Sequence, residues 1–145
     1  MSNKTMITDR IHVEVEFHQV DMMGVVHNAE YLRWFERGRL ALLEPAFSVG
    51  WAMEHGLAIP VVQHRVEYPS SAAFGDRLVV TSRHELQSRW SGRLVFEHSI
   101  SNAKTKLEVC CGTTEVTVID LEHKRPLKEI PEAAWQRYLS LGASK

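Results

Sequence analysis

The sequence predicts an α+β fold made of one strand, one long helix and then four strands joined by short turns. Three observations lead to this prediction: alternating apolar residues over 11–18, helical spacing of apolar residues over 29–43, and renewed alternation from residue 59 onward. Consecutive strands with short links favour an antiparallel sheet, with the helix segregated as a separate layer. A chain of 145 residues, 44% of them hydrophobic, suits one domain, and we expect it to span 1–145 with a core over 10–132.

The first predicted element is a half-buried strand over 11–18. Its apolar side chains alternate with polar ones and should share one face: Ile11, Val13, Val15 and Phe17. The strand leads directly to Asp21 and a turn at Gly24.

The second element is an amphipathic helix over about 29–43. Tyr31, Phe35 and Leu42 fall on one face at helical spacing, with Gly38 between them. Asn28 is predicted to be the N-cap, because an Asn side chain accepts a hydrogen bond from an N–H group of the first helical turn.

The remaining chain alternates between strand patterns and turns. We expect a short helix over 46–56, strands over 59–68, 77–87, 93–101 and 106–119, and a short C-terminal helix over 131–139. Gly112 in the last strand predicts a bulge or a close approach of another backbone segment.

Composition excludes several classes of function. A net charge of −1 gives no electrostatic reason to expect a nucleic-acid partner, and the scattered basic residues form no patch. No apolar run is long enough for a membrane span, so we expect no membrane insertion. Cys110 and Cys111 are adjacent, face opposite sides of a strand and cannot readily bridge each other, which suits a reducing compartment. Residues 1–10 lack an apolar signal core, so a cytoplasmic location is expected.

Several catalytic motifs are missing from the sequence. There is no G-x-S-x-G elbow, no H-E-x-x-H pair, no phosphate-cradling glycine loop and no C-x-x-C. We therefore expect neither a metal nor a cofactor, and a catalytic mechanism would depend on a carboxylate and on backbone dipoles.

Asp21 is the candidate for that carboxylate. It precedes a helix whose first turn carries unpaired N–H groups, and a base beside such donors suits attack on a carbonyl. The ordinary interpretation of an Asp before a Gly turn is that its carboxylate bonds local amides, and both interpretations stand at this point.

The stretch from Asp21 to Arg39 resembles the signature of the 4-hydroxybenzoyl-CoA thioesterase branch of the hotdog-fold acyl-CoA thioesterases, of the Tol-Pal-associated type. The matching residues are Asp21, Gly24, Val25, Val26, Tyr31, Phe35, Glu36 and Arg39. Tyr68-Pro69 and Gly75-Asp76 resemble further elements of that family, and the resemblance covers about residues 10–132.

The resemblance implies a hotdog fold, a curved five-stranded antiparallel sheet wrapped around one long central helix. It also implies a homodimer formed by edge-to-edge strand pairing, commonly assembled into a homotetramer, with the active site at the dimer interface. The implied activity is hydrolysis of an acyl-CoA substrate to a free carboxylic acid and CoA.

The resemblance assigns roles to particular residues. Asp21 would be the general base or the nucleophile, and the backbone N–H of Asn28 would polarise the thioester carbonyl. The substrate would contact residues of the turn, the helix and the strands: Gly24, Val25, His27, Tyr31, Trp34 and Val62. Arg65, Arg89 and Arg93 are candidates to hold the CoA phosphates. Two alternatives remain: a dehydratase or hydratase on the same fold, and a non-catalytic subunit that binds acyl-CoA or acyl-carrier protein.

Overall fold

The computed structural model describes residues 4–143. Its strands are β1 (Met6–Glu14), β2 (Leu57–Ala58), β3 (Val61–Glu67), β4 (Arg77–Glu85), β5 (Leu94–Asn102), β6 (Glu108–Val116), β7 (Ile119–Asp120) and β8 (Arg125–Pro126). Its α-helices are α1 (Asn28–Leu43), α2 (Val49–Glu54) and α3 (Glu132–Leu139). Short 3₁₀ turns occur at Phe17–Gln19 and Ser140–Ala143.

The five long strands form one antiparallel sheet in the order β1-β4-β5-β6-β3. Every neighbouring pair is antiparallel, and β1 aligns with β4 over its full length, from Met6 opposite Glu85 to Glu14 opposite Arg77. The two edges of the sheet are therefore β1 and β3. A separate small sheet joins β2, β7 and β8.

Helix α1 packs across the sheet and supplies much of the core. The helix residues predicted to share one face are buried, with Tyr31 at 2% exposure, Phe35 at 0% and Leu42 at 5%. Gly38 lies where the helix approaches β4, because a Cβ there would be 2.3 Å from the Ser82 hydroxyl. The α+β architecture with a central helix on an antiparallel sheet, a hotdog fold, is confirmed.

A second part of the core lies where residues from near both limits of the described range pack together. Ile7 of β1, Tyr138 of α3 and Leu141 are buried in one hydrophobic cluster with Phe96 of β5. The core therefore takes in residues on both sides of the 10–132 range. Within residues 4–143, no helix is long and apolar enough to cross a membrane.

The predicted limits of the first strand were wrong. Strand β1 begins at Met6 rather than at Ile11, because backbone hydrogen bonds to β4 do not require the apolar alternation that marked 11–18. It ends at Glu14, and Phe17 lies in a 3₁₀ turn with 78% of its surface exposed, not on the buried face.

The long strand predicted over 106–119 was also wrong in part. Strand β6 ends at Val116, and Ile119 belongs to β7 of the small sheet. The N–H of Thr117 donates to Pro60 O, just before β3, and two residues later Ile119 pairs with Ala58 of β2 in the small sheet. The close approach predicted at Gly112 is confirmed, since a Cβ there would lie 2.0 Å from the carbonyl oxygen of Arg65 on β3.

Candidate active site

A compact loop carries Asp21 from the end of β1 to the start of α1. Two antiparallel bridges shape it, one between Val20 and Val26 and one between Val25 and Ala73. The N–H of Asp21 donates to Val25 O (2.9 Å), and the N–H of Gly24 donates to Asp21 O (3.0 Å). Gly24 has a φ of +80°, a left-handed conformation that costs glycine little. The sequence D-x-x-G thus closes a tight turn that brings Asp21 back beside the residues entering the helix.

The Asp21 carboxylate bonds its own turn with one oxygen. Its Oδ1 accepts hydrogen bonds from the N–H groups of Met23 (2.8 Å) and Val25 (3.3 Å). The prediction that the Asp21 carboxylate bonds local amides of its turn is therefore confirmed. Oδ2 has no hydrogen-bond partner within residues 4–143, and the half-buried carboxylate borders an open depression.

The first turn of α1 offers backbone donors close by in the chain. The predicted N-cap was wrong: the capping position is His27, whose side chain makes no capping bond, and Asn28 is the first helical residue. Without a side-chain cap, the N–H groups of Asn28 and Ala29 have no acceptor in the described part of the chain. Unpaired amides at a helix N-terminus favour negative charge.

The surface around Asp21 is apolar and exposed. A depression of about 650 Å³ is lined by Phe17, Val20, Asp21, Met22, Met23 and His27. Met22 and Met23 are almost fully exposed, and Phe17 makes an edge-on contact with Phe74 at 5.8 Å between ring centroids. Exposed apolar side chains around a polar group are typical of a surface that a ligand or another chain covers.

The aromatic residues predicted near the site lie beneath it. Tyr31 and Trp34 are both buried in the core, and the Tyr31 hydroxyl accepts a hydrogen bond from Ala72 N–H (3.2 Å). Burial raises the pKa of Tyr31. Tyr68 is 41% exposed, and its hydroxyl donates to Asn28 O at 3.4 Å. Tyr68, which directly follows β3, therefore contacts the first residue of α1 within the same chain.

Within one chain, the structure does not bring three of the predicted binding residues to Asp21. Val62 lies at the start of β3, whereas Asp21 and Asn28 lie near its other end, where Tyr68 follows the strand. Arg93 immediately precedes β5, at the end of the sheet where Leu94 of β5, Val116 of β6 and Val61 of β3 align, and its guanidinium pairs with Glu115 at 3.0 Å. Arg89 is exposed in the β4–β5 turn and borders a different depression.

A deeper cleft that the sequence did not predict lies between α1 and α2. It has a volume of about 270 Å³ and is mostly apolar, with Glu36, Arg39 and Ser48 as its polar side chains. Both Glu36 and Arg39 belong to the family-like signature, but spacing alone did not place them beside α2. The cleft also contacts Leu57, Ala58 and Ile59, the residues that lead into β3.

Arg39 sits in a buried polar cluster beneath this cleft. Arg39 is 5% exposed, and both its Nη1 and the Nε2 of His98 are buried without a hydrogen-bond partner in the part of the chain that the structure describes. Burial, and secondarily the charge of Arg39, lowers the pKa of His98 to about 3. Burial likewise lowers the pKa of His64, whose Nδ1 lies 3.0 Å from the Thr114 hydroxyl. The positive charge of Arg39 thus adds to burial in disfavouring the protonated form of both imidazoles.

Within the described residues, one group of side chains of the kinds that bind metals lies at the turn after β7, far from Asp21 in the sequence. Ligand atoms of Asp120, Glu122 and His123 lie within 4.8 Å of one another on the surface. Asp120 Oδ1 accepts a bond from Glu122 N–H, and Oδ2 pairs with His123 at 2.7 Å. Turn geometry and one carboxylate–imidazole hydrogen bond account for this arrangement.

The hotdog fold is one that thioester-hydrolysing enzymes share, and it gives the class of protein to compare with. Comparison with known proteins agrees: the model of the thioesterase-like superfamily matches residues 15–137. The chain is 33% identical over 122 residues to the acyl-CoA thioester hydrolase YbgC of Escherichia coli O6:H1, covering 83% of this chain and 85% of YbgC.

Solved structures share the fold. Slr0204, a 1,4-dihydroxy-2-naphthoyl-CoA thioesterase from Synechocystis, superposes with a TM-score of 0.78 at 20% identity, covering 94% of this chain and 96% of that one. A DHNA-CoA thioesterase from Staphylococcus aureus gives a TM-score of 0.77 at 24% identity, covering 94% of each chain. The protein belongs to the thioesterase-like superfamily, and it is a thioester hydrolase.

Proposed function

We propose that this protein hydrolyses acyl-CoA thioesters with Asp21 as its catalytic carboxylate. The observation that carries the proposal is the pairing of the Asp21 loop with the start of α1, where one carboxylate oxygen and the N–H groups of Asn28 and Ala29 are uncommitted. The activity named for YbgC supports the substrate class.

The chemistry follows from the charge that develops on attack. When a nucleophile adds to the thioester carbonyl, negative charge collects on the oxygen, and the N–H of Asn28 with the helix dipole stabilises it. Asp21 either takes a proton from the attacking water or attacks the carbonyl itself to form a mixed anhydride that water then opens. In the first route the tetrahedral adduct expels the CoA thiolate, which takes up the proton that Asp21 removed from water. In the second route the CoA thiolate leaves as the anhydride forms, and water then opens the anhydride to give the free acid and regenerate Asp21. Both routes use the same two groups.

A second copy of the chain would complete the site. Strand β3 is a sheet edge whose Val61 and Val62 are about two-fifths exposed. If two β3 edges pair antiparallel, the start of one strand lies beside the end of the other. Val62 of the partner subunit then approaches Tyr68 and the helix start. We propose this homodimer, further assembled into a tetramer.

The same pairing gives the cleft between α1 and α2 a role. The cleft opens beside the residues that lead into β3, so the partner's cleft approaches Asp21 of the first subunit. We propose that it receives the acyl group. Gly24, Val25 and His27 would contact the thioester end of the substrate, and basic side chains such as Arg65, Arg89 or Arg93 would hold the CoA phosphates.

The test is CoA release from a panel of benzoyl-, short-chain and long-chain acyl-CoAs, measured for the wild type and for Asp21→Asn. We expect turnover to fall by about 10²-fold or more in the variant, because the amide neither accepts a proton nor attacks. Asp120→Asn is the matched control, since Asp120 Oδ1 accepts the N–H two residues ahead at 2.8 Å, as Asp21 Oδ1 does.

The outcomes separate the alternatives. Equal activity of wild type and Asp21→Asn would contradict the role of Asp21. Binding of acyl-CoA without turnover by the wild type would favour the non-catalytic subunit. Equal losses in Asp21→Asn and Asp120→Asn would indicate general damage to turns rather than lost chemistry.

A further inference from the structure

Gln19 connects both ends of the loop that carries Asp21. Its N–H donates to Glu16 O (3.0 Å), and its carbonyl oxygen accepts from His27 N–H (3.0 Å). Its side-chain Oε1 accepts from Glu16 N–H (2.9 Å), and its Nε2 donates to Glu30 Oε2 (3.2 Å). One residue thus joins the entry to the loop, its exit and the first turn of α1.

Glu30 is an unusual partner for that amide. It is 9% exposed and is the one carboxylate among the buried polar residues of the range 4–143. Burying an ionised carboxylate is costly unless it is hydrogen-bonded, and this one receives its side-chain bond from Gln19 rather than from a cation. Its position in the first turn of α1 places it where the helix dipole favours negative charge.

The Gln19–Glu30 bond spans the base of the loop. Asp21 follows Gln19 by two residues, and Asn28 precedes Glu30 by two residues. The bond therefore ties the segment bearing the proposed carboxylate to the segment bearing the proposed N–H donor. Neither side chain is among the groups proposed to contact the thioester.

We propose that Gln19 and Glu30 are positioning residues that hold the Asp21 carboxylate in register with the N–H groups at the start of α1. This inference rests on the proposed function. A displacement of about 1 Å at a reacting group can cost ~10²-fold in rate, so the bond matters to turnover even where it contributes little to overall stability.

The experiment is a swap of the two side chains. Gln19→Met keeps a side chain of similar length but removes both of its hydrogen bonds. We expect kcat to fall about 10- to 100-fold and KM to stay within about twofold of the wild-type value. Gln19→Glu places two carboxylates face to face and should reduce kcat at least as much. The double variant Gln19→Glu with Glu30→Gln restores a carboxylate and an amide in reversed places, and its kcat should return to within about fivefold of wild type.

A matched control is available in α3. Gln136 Nε2 donates to Glu132 Oε1 at 2.6 Å, so this exposed pair has the same chemistry as Gln19 and Glu30 but lies in the C-terminal helix. Gln136→Met should leave kcat and KM unchanged. A kcat loss in Gln19→Met that the swap does not recover, or an unchanged kcat in Gln19→Met, would overturn the positioning role.

A second readout does not depend on turnover. Amide hydrogen exchange of Met23 and Val25, whose N–H groups bond Asp21 Oδ1, should accelerate about tenfold or more in Gln19→Met and recover in the swap. If the wild type turns over no acyl-CoA, the proposed function fails while this measurement still decides the positioning role, and unchanged exchange would contradict it.

Discussion

Asp21 combines a structural and a proposed chemical role in one side chain. Oδ1 closes the turn through the N–H groups of Met23 and Val25, and Oδ2 remains uncommitted among the described residues. The sequence offered turn chemistry and catalysis as competing interpretations of this residue. The geometry makes them compatible, because each uses a different oxygen.

Gly112 gives a test at the scale of a single residue. An added methyl group would lie 2.0 Å from the backbone oxygen of Arg65, and a backbone atom within a sheet cannot move aside cheaply. Gly112→Ala should therefore destabilise the protein at or above the upper end of the ~1–3 kcal/mol typical of overpacking. The measurement is the free energy of unfolding in urea.

Gly50 supplies the control for that variant. It lies within α2, and the nearest heavy atom to an added Cβ is the Ser48 hydroxyl oxygen at 3.8 Å. Gly50→Ala should be neutral or stabilising by up to about 1 kcal/mol, since Ala favours helix more than Gly. Similar losses in both variants would contradict the close contact at Gly112.

Burial of His98 should make the free energy of unfolding depend on pH. Its pKa is lowered to about 3 in the folded protein, chiefly by burial, whereas an unfolded histidine titrates near 6.5. Between these values the unfolded state binds a proton that the folded state does not, so stability falls as the pH decreases from about 6.5 towards 3. Well inside this window the loss is about 1.4 kcal/mol per pH unit for this residue.

Urea unfolding at about pH 7.5, 5.5 and 4.5 measures this slope. His98→Gln should make it shallower by about 1.4 kcal/mol per pH unit, whatever its effect at neutral pH. His12→Gln changes an exposed histidine of β1 and is the matched control for the substitution itself. An unchanged slope in His98→Gln would mean that this imidazole does not resist protonation in the folded state.

At the scale of elements, helix α1 and strand β5 were the most predictable. Residues at helical spacing in α1 and alternate residues in β5 are buried as their periods require, including Leu94, Phe96, His98 and Ile100. Strand ends were less predictable. Backbone pairing with β4 extends β1 to Met6, and side-chain periodicity carries no information about where backbone partners begin or end.

The Tyr138 hydroxyl ties helix α3 to residues of the β4 segment by hydrogen bonds, in addition to the apolar packing of the helix. The Tyr138 hydroxyl accepts from Gln87 N–H (2.9 Å) and lies 2.8 Å from His84 Nε2. Tyr138→Phe would leave both partners without this bond, and we expect a loss of about 1–3 kcal/mol in the free energy of unfolding. Burial raises the pKa of Tyr138 to about 12, so the hydroxyl remains protonated through the neutral range.

Tyr68→Phe is the control variant for Tyr138→Phe. Its hydroxyl is at an exposed position and makes a single long bond of 3.4 Å, so its removal should change stability by no more than about 0.5 kcal/mol. Chemical denaturation of both variants measures the difference. Equal effects would show that the Tyr138 hydroxyl does not anchor α3.

At the scale of the whole molecule, the exposed edge strand β3 leads to a testable prediction about the proposed homodimer. Val62→Asp places a charge on the edge proposed to pair with a second copy, so it should weaken the dimer at least about tenfold and reduce thioesterase activity in parallel. Sedimentation velocity over a concentration series measures the dimer. Val95, at 41% exposure on central strand β5 against 42% for Val62, is the control, and Val95→Asp should leave the dimer intact.

The result that contradicts the edge pairing is also clear. A Val62→Asp protein that remains dimeric and fully active would show that β3 is neither an interface nor part of the site. A monomer with full activity would show that Asp21 needs no residue from a second copy.

The sequence by itself determined the fold class, the central helix with its buried face, and Asp21 as the candidate carboxylate. Periodicity and local turn chemistry are properties of neighbouring residues, so they can be read along the chain. The family-like signature from Asp21 to Arg39 also belongs to one continuous stretch.

Only the tertiary structure decided which distant groups meet. It placed Gln19 against Glu30, brought Arg39 and Glu36 into a cleft with α2, and put Val62 and Arg93 at the end of the sheet away from Asp21. It also made His27 rather than Asn28 the helix cap. These arrangements depend on strand order, register and helix packing, which arise from contacts between residues far apart in the chain and leave no periodic trace in the sequence.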